Sequence, residues 1–347
     1  MLKTWLKAAC SLALAGGTVF GAGQVRAADQ VSIGLTNASS DIVLFIADAK
    51  GFFKNENIAP KFVAFDSAAK MIAPLGAGQL DVGGGAASAG LYNAIERGIG
   101  IKIVADKARN APGFGFQSLL VRKALVEDGS VKSIADLKGR KVAIVAQASS
   151  DASVLNEAMK TAGLGYDDIE KVYLGFPQQL VAYQNGAIDA SITTEPTVTA
   201  LLSAGTAVQL TSNDKFYPNA QTAVILYGRT FSEGQPDVAK RFMKAYIQAA
   251  RYYNDALTTG KIAGKNADEV IGIMAKYSTI KDPDVIRKMT AHSVDPSGMV
   301  NVDSLKKDWA FFKDQKQVTG SVQIDQVVDM SFAQEAAKEL GPYQAAK

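Results

Sequence analysis

From Val31 onward, short apolar runs alternate with amphipathic stretches, and few folds are open to a chain with that rhythm. Strands separated by helices pair in parallel, because each crossover helix returns the chain to the same edge of the sheet; the pattern predicts an α/β fold. Val31 to Leu35 reads as a strand and Ile42 to Lys50 as a helix that Gly51 stops, as a glycine past a helix end does. Lys61 to Phe65, a very short Leu80 to Val82, and Ile101 to Ala105 read as further strands, with helices at Ser67 to Leu75 and Ala87 to Arg97 between them. A second series of the same kind follows Ser118 to Val121. It has strands at Lys141 to Val145, Val172 to Leu174 and Ile188 to Thr193, and helices at Asp151 to Thr161 and Pro177 to Gln184.

After Thr222 to Tyr227 the pattern turns helical: Pro236 to Thr259, Asp268 to Tyr277, Pro283 to His292, Val302 to Lys313 and Ser331 to Leu340. Such a tail cannot form a third α/β body and should pack on the two already made. Gly78-Gln-Leu-Asp-Val82 and Gly186-Ala-Ile-Asp-Ala190 share the form Gly, any residue, apolar, Asp, small, each after a helix and before a short strand. The shared position of the two segments points to a duplicated architecture.

The first residues read as an export signal: Lys3 and Lys7, an apolar stretch from Ala8 to Ala22 broken by Gly16, Gly17 and Gly21, and the small-residue site Val25-Arg26-Ala27. Cys10 lacks the apolar lead of a lipoprotein site, since Lys7 stands where leucine belongs. Cleavage after Ala27 leaves 347 − 27 = 320 residues without cysteine, so stability must come from packed cores. That length exceeds the roughly 250–300 residues at which one core tends to split, which predicts two lobes. Removing Lys3, Lys7 and Arg26 leaves 37 − 3 = 34 basic residues against 34 acidic ones, a balance that gives no footprint for nucleic acid. No other apolar run is long enough to insert in a membrane.

Three loops follow predicted strands and lead into helices, where open α/β sheets bind ligands: 36–41, 83–88 and 146–151. Their hydroxyls and amides at helix starts attract negative charge, although Asp41, Ser88 and Asp151 also read as ordinary caps. Glu195, before Pro196, sits at the mouth between lobes, either to accept from a ligand or to cap its helix. Phe114, in Pro112 to Phe116, is either pocket wall or core. Gly83-Gly84-Gly85-Ala86-Ala87-Ser88 lacks the Gly-Lys-Ser/Thr of a P-loop and the third glycine of the dinucleotide fingerprint. With His292 the only histidine and no Gly-x-Ser-x-Gly elbow, neither a catalytic triad nor a His/Cys metal site is expected, nor any cofactor.

The segments Ala47-x-x-Lys50-Gly51-Phe52-Phe53-Lys54, Ala77-Gly78-Gln79-Leu80-Asp81-Val82, Ile134-Ala135-Asp136-Leu137-Lys138-Gly139-Arg140-Lys141-Val142 and Glu195-Pro196 resemble the nitrate/sulfonate/taurine and thiamine-precursor group of ABC-importer binding proteins. The resemblance implies a periplasmic-binding-protein type II fold, two α/β lobes joined by two crossover strands near Gln117 to Arg122 and Thr222 to Tyr227. Residues 28–116 and 227–347 would then form one lobe and 117–226 the other. It also implies a periplasmic monomer that binds a small-molecule solute and delivers it to an ABC permease and its ATPase. The solute would be a sulfonate, carboxylate or similar anion, with a neutral pyrimidine-like heterocycle as the alternative. The positions carried over are Asn37, Ser39, Gly84, Gly85, Ala86, Ser149, Ser150 and Glu195, with Phe114 as wall. A same-fold enzyme and a sensory ligand-binding module are the rival readings; fungal pyrimidine synthases of this group depend on histidine and cysteine, and the mature chain has no cysteine.

Overall fold

The computed structural model describes residues 27–345, so the expected signal peptide lies outside the described residues except for Ala27. Ten strands carry the architecture. They are β1 Asp29–Leu35, β2 Ile58–Ala64, β3 Val82–Gly85, β4 Ile101–Asn110, β5 Gln117–Arg122, β6 Lys141–Ile144, β7 Glu170–Tyr173, β8 Ala190–Thr194, β9 Ala207–Ser212 and β10 Ala220–Gly228. They form two five-stranded sheets, ordered β2-β1-β3-β10-β4 and β7-β6-β8-β5-β9. In each sheet three strands run parallel, and the fourth in order, β10 or β5, is antiparallel to both its neighbours. The chain passes between the sheets at 111–116 and again after β9. The segments expected at the crossings are therefore ladder strands, one in each sheet.

The repeated Gly-x-apolar-Asp pattern has a physical basis. Gly78 and Gly186 both take the left-handed backbone that ends the preceding helix, at φ 69° and 70°. Asp81 then accepts from Ser32 N–H at 2.8 Å and Asp189 from Lys141 N–H at 3.1 Å. Each aspartate satisfies an amide of the strand beside the one it precedes, which pins the register of β3 on β1 and of β8 on β6.

The helical tail supplies much of the first core. Along Pro236–Asp255, Phe242, Met243, Tyr246, Ala249, Ala250 and Tyr253 recur on one face and are buried. Phe242 stacks on Phe53 of the Gly-Phe-Phe block with ring centroids 5.0 Å apart. Val302–Asp314 packs against both β10 and the Ser150–Lys160 helix, so the tail touches the first sheet and a helix of the second series. Among the described residues no helix is long and apolar enough to cross a membrane.

Four expectations need correction. The glycines read as a loop are strand: Gly83, Gly84 and Gly85 pair with Leu226, Ile225 and Val224 of β10, because strands on both sides satisfy their amides. β4 continues five residues past Ala105, and the charges it carries there are internally paired, as with Arg109 Nε and Asp106 at 3.0 Å. The helix expected to reach His292 is Pro283–Lys288. Beyond it the chain extends so that Arg109 and Ser293 exchange backbone hydrogen bonds at 2.9 and 3.1 Å. The long tail helix stops at Asp255 rather than Thr259, where Leu257–Thr258 and Lys261–Ile262 form a small antiparallel pair.

Candidate functional site

The loops that follow β1, β3, β6 and β8 meet between the two sheets. Ser39 N–H donates to Glu195 O at 2.8 Å, Ala89 N–H to Ala148 O at 3.0 Å, and the Ser150 hydroxyl to Thr222 O at 3.3 Å. These bonds hold the two sheets together over a narrow cavity between them. Its wall carries hydroxyls from Thr36, Ser40, Ser67, Thr194 and Thr222, the rings of Phe116 and Phe176, and the side chains of Gln117 and Asp151. A few polar groups set among apolar surface is the usual composition of a small-molecule site.

The close approach of β1 and its loop explains the glycine run. A Cβ on Gly85 would lie 2.6 Å from Ala68 Cβ and 3.2 Å from Thr36 Cγ2; one on Gly84 would lie 3.1 Å from Gly34 O and 3.0 Å from Lys107 Cε. Beyond the run, Ser88 caps the Ala89–Glu96 helix, its hydroxyl accepting from Leu91 N–H at 3.2 Å.

The sequence Ser-Ser-Asp occurs twice at these loops, at 39–41 and 149–151, and the two copies differ electrostatically. Asp41 is buried and paired with Lys107 Nζ at 2.8 Å; the same ammonium donates to Ser40 Oγ at 2.9 Å. Asp151 has neutral partners. Its Oδ1 accepts from Gln117 Nε2 at 2.7 Å and its Oδ2 from Val145 N–H at 3.3 Å. Gln117 is held in turn by Asn213 Nδ2 at 2.7 Å. Burial pushes the Asp151 carboxyl up to about 6, offset only in part by these hydrogen bonds.

The residues expected from sequence fall into three groups. Gly85 and Ala86 line the cavity. Asn37 and Ser39 line an adjacent pocket that shares Ala38 with it and is walled by Phe45, Tyr277 and Met289. The rest act in packing or bracing. Gly84 lies against Lys107, Phe114 packs on the first core, and the Ser149 hydroxyl donates to Ala146 O at 3.0 Å. The Ser150 hydroxyl reaches across to β10. Glu195 caps the Thr197–Ser203 helix through Thr199 N–H and Oγ1–H, both at 2.9 Å, and accepts from Thr290 N–H at 2.9 Å; burial raises its carboxyl above the ordinary range.

Sequence reading placed Asp151 at the end of the third candidate loop, with a cap as the alternative, and did not single out Lys107 or Gln117. Lys107 lies past the strand end read from sequence at Ala105; only the longer β4 places it inside a buried strand, where a lysine needs a partner. His292 is fully buried, stacked on Tyr253 at 4.7 Å with Nδ1 in a 3.1 Å hydrogen bond to its hydroxyl. Burial lowers its ring to about 3, so it stays neutral behind Phe116, 5.4 Å away.

The model of the family described as NMT1/THI5 like matches residues 39–256, more than half of the chain. This agrees with the resemblance carried by the Gly-Phe-Phe and Asp-Leu-Lys-Gly-Arg-Lys-Val blocks. A protein of Escherichia coli (strain K12) named for binding aliphatic sulfonates is 28% identical over 174 residues, 48% of this chain and 52% of that protein. The taurine-binding periplasmic protein of the same strain is 26% identical over 210 residues, 60% of this chain and 62% of that one. The chain thus spans about half to three fifths of these relatives. Among solved structures, the alkanesulfonate-binding protein SsuA from Xanthomonas axonopodis pv. citri superposes with a TM-score of 0.68 at 21% identity, covering 86% of this chain and 97% of that one. The desulfurization enzyme DSZB superposes at 0.62 with 14% identity, covering 90% and 100%. At these identities the likeness establishes the fold, that of periplasmic binding proteins.

Proposed function

We propose, from the premise that this chain belongs to the NMT1/THI5-like family, that it is the periplasmic solute-binding component of an ABC importer. The observation that carries the proposal is the cavity closed between the two sheets, walled by residues from both. Residues 28–116 with 220–347 form one lobe and 117–219 the other, the expected boundary at 226 moving back because β10 pairs within the first sheet; 1–27 is a cleaved signal, and the protein acts as a monomer that presents its closed form to a permease and ATPase. A solute that touches both walls stabilises the closed arrangement by its differential affinity, and that difference is what a permease can read.

The proposed contacts are Gly85 and Ala86 from the sequence reading, joined by Thr36, Ser40, Gln117, Asp151 and Thr194. Asn37 and Ser39 contribute through the adjoining pocket, and Ser150 and Glu195 hold the lobes together across the gap. The lining supports binding over turnover, since it contains no histidine or cysteine and His292 lies sealed behind Phe116. Titration calorimetry of the mature protein against a panel of small solutes tests the proposal. Saturable one-to-one binding without chemical change of the solute is expected. Turnover of the solute by the isolated protein, or no heat with any member, contradicts it.

A further inference from the structure

We infer that the solute presents a protonated amine or N–H donor to Asp151, beside a flat or apolar portion packed against Phe116 and Phe176. Its class is therefore an amine- or N–H-bearing solute rather than a simple anion. The inference rests on the solute-binding reading and names the chemistry of the same cavity. It also departs from the anion that the helix starts alone suggested.

Three observations carry it. First, the two Ser-Ser-Asp turns are matched in sequence and in place, yet only one is neutralised. Asp41 has Lys107 at 2.8 Å, whereas the position facing Asp151 is filled by the neutral amide of Gln117 at 2.7 Å. Second, Asp151 is 3% exposed and is the one charged side chain among the described residues lining the cavity. A buried carboxylate without a counter-charge carries a large desolvation penalty, and an incoming cation relieves it where an incoming anion adds to it. Third, the Thr194 hydroxyl also lines the cavity, is 5% exposed and has no hydrogen-bond partner, so a buried polar atom on the wall opposite β10 stands ready for a ligand. Two phenylalanines on the same wall give an apolar portion its contact.

A role for Asp151 confined to holding the start of its helix would leave solute preference untouched, so selectivity is the measurement that separates the two roles. The mature protein is equilibrated at neutral pH with a defined mixture of matched pairs: taurine and ethanesulfonate, benzylamine and benzoate, 4-aminopyrimidine and pyrimidine. Retained species are then read by native mass spectrometry. The amine-bearing member of at least one pair should be retained over its counterpart. Asp151→Asn should weaken it roughly tenfold to a hundredfold, the range of a hydrogen bond to a charged group. Thr194→Val, a milder change that leaves the charge in place, should weaken it by up to about tenfold. Retention of ethanesulfonate or benzoate at least as well as the amines, unchanged or tightened in Asp151→Asn, overturns the inference and leaves the solute-binding reading standing. Retention of nothing by either protein overturns both.

Discussion

Asp151→Asn should make the protein more stable at neutral pH while removing what the carboxylate does for a solute. A carboxyl moved by burial from 3.8 to about 6 carries about 3 kcal/mol against its ionised form at neutral pH. Losing the charge from the first turn of the Ser150–Lys160 helix forfeits about 0.5–1 kcal/mol of favourable interaction with the helix start. The hydrogen bonds can be kept. Gln117 Oε1 can accept from the new amide if Gln117 and Asn213 both turn over, so that Gln117 Nε2 donates to Asn213 Oδ1, which has no partner in the present arrangement. The net gain is about 2 kcal/mol, or about 3 °C in Tm for a chain of this length. Because the folded carboxyl titrates above the unfolded one, the wild type is penalised only where the folded form must ionise. The gain should be absent below pH 4, open between about 4 and 6, and stay constant above. Asp106 and Asp308, raised by burial to about 6 and about 7, are common to both proteins and cancel in the difference. Tyr166, which feels the Asp151 charge, is held well above its usual range by burial and stays neutral throughout. Thermal unfolding of both proteins from pH 4 to 8 measures the gap. A variant less stable at pH 7.5, or a gap that does not change with pH, would refute the reasoning.

Other substitutions probe the remaining parts of the cavity. Lys107→Met leaves Asp41 buried without its cation and should cost about 3–5 kcal/mol in denaturant unfolding; adding Asp41→Asn should restore most of it, and a single variant as stable as wild type would contradict the pairing. Gly85→Ala places a methyl 2.6 Å from Ala68 and should cost about 1–3 kcal/mol while weakening solute binding, both read from solute-dependent shifts in Tm. Glu195→Ala removes the acceptor shared by Thr199 and Thr290, so it should lose about 1–2 kcal/mol of cap stability and make the solute-free protein more open in scattering.

The fold was legible in the sequence because its signals are local. The strand and helix periods, the glycines past helix ends at Gly51, Gly78 and Gly186, and the Gly-Phe-Phe block each report on a few neighbouring residues. The loops at 36–41 and 146–151 were legible for the same reason: they follow strands whose ends could be placed. Roles at the site were not, because they depend on pairings across long separations. Lys107 meets Asp41 across 66 positions and Gln117 meets Asp151 across 34. Periodicity carries no trace of either. The repeated Ser-Ser-Asp was visible in the sequence, but only the structure shows that one copy has a cation and the other does not. The glycine run was misread because glycine marks both loops and close strand packing, and the approach of Ala68 and Gly34 decided the matter.

Small-angle scattering of the mature protein, freed of solute by partial unfolding and refolding and then titrated with a solute found by calorimetry, tests the central claim most directly. Two bodies that shut on a shared cavity should give a radius of gyration that falls on saturation, at the same stoichiometry as the binding heat. A radius unchanged from empty to saturated would contradict closure around the solute.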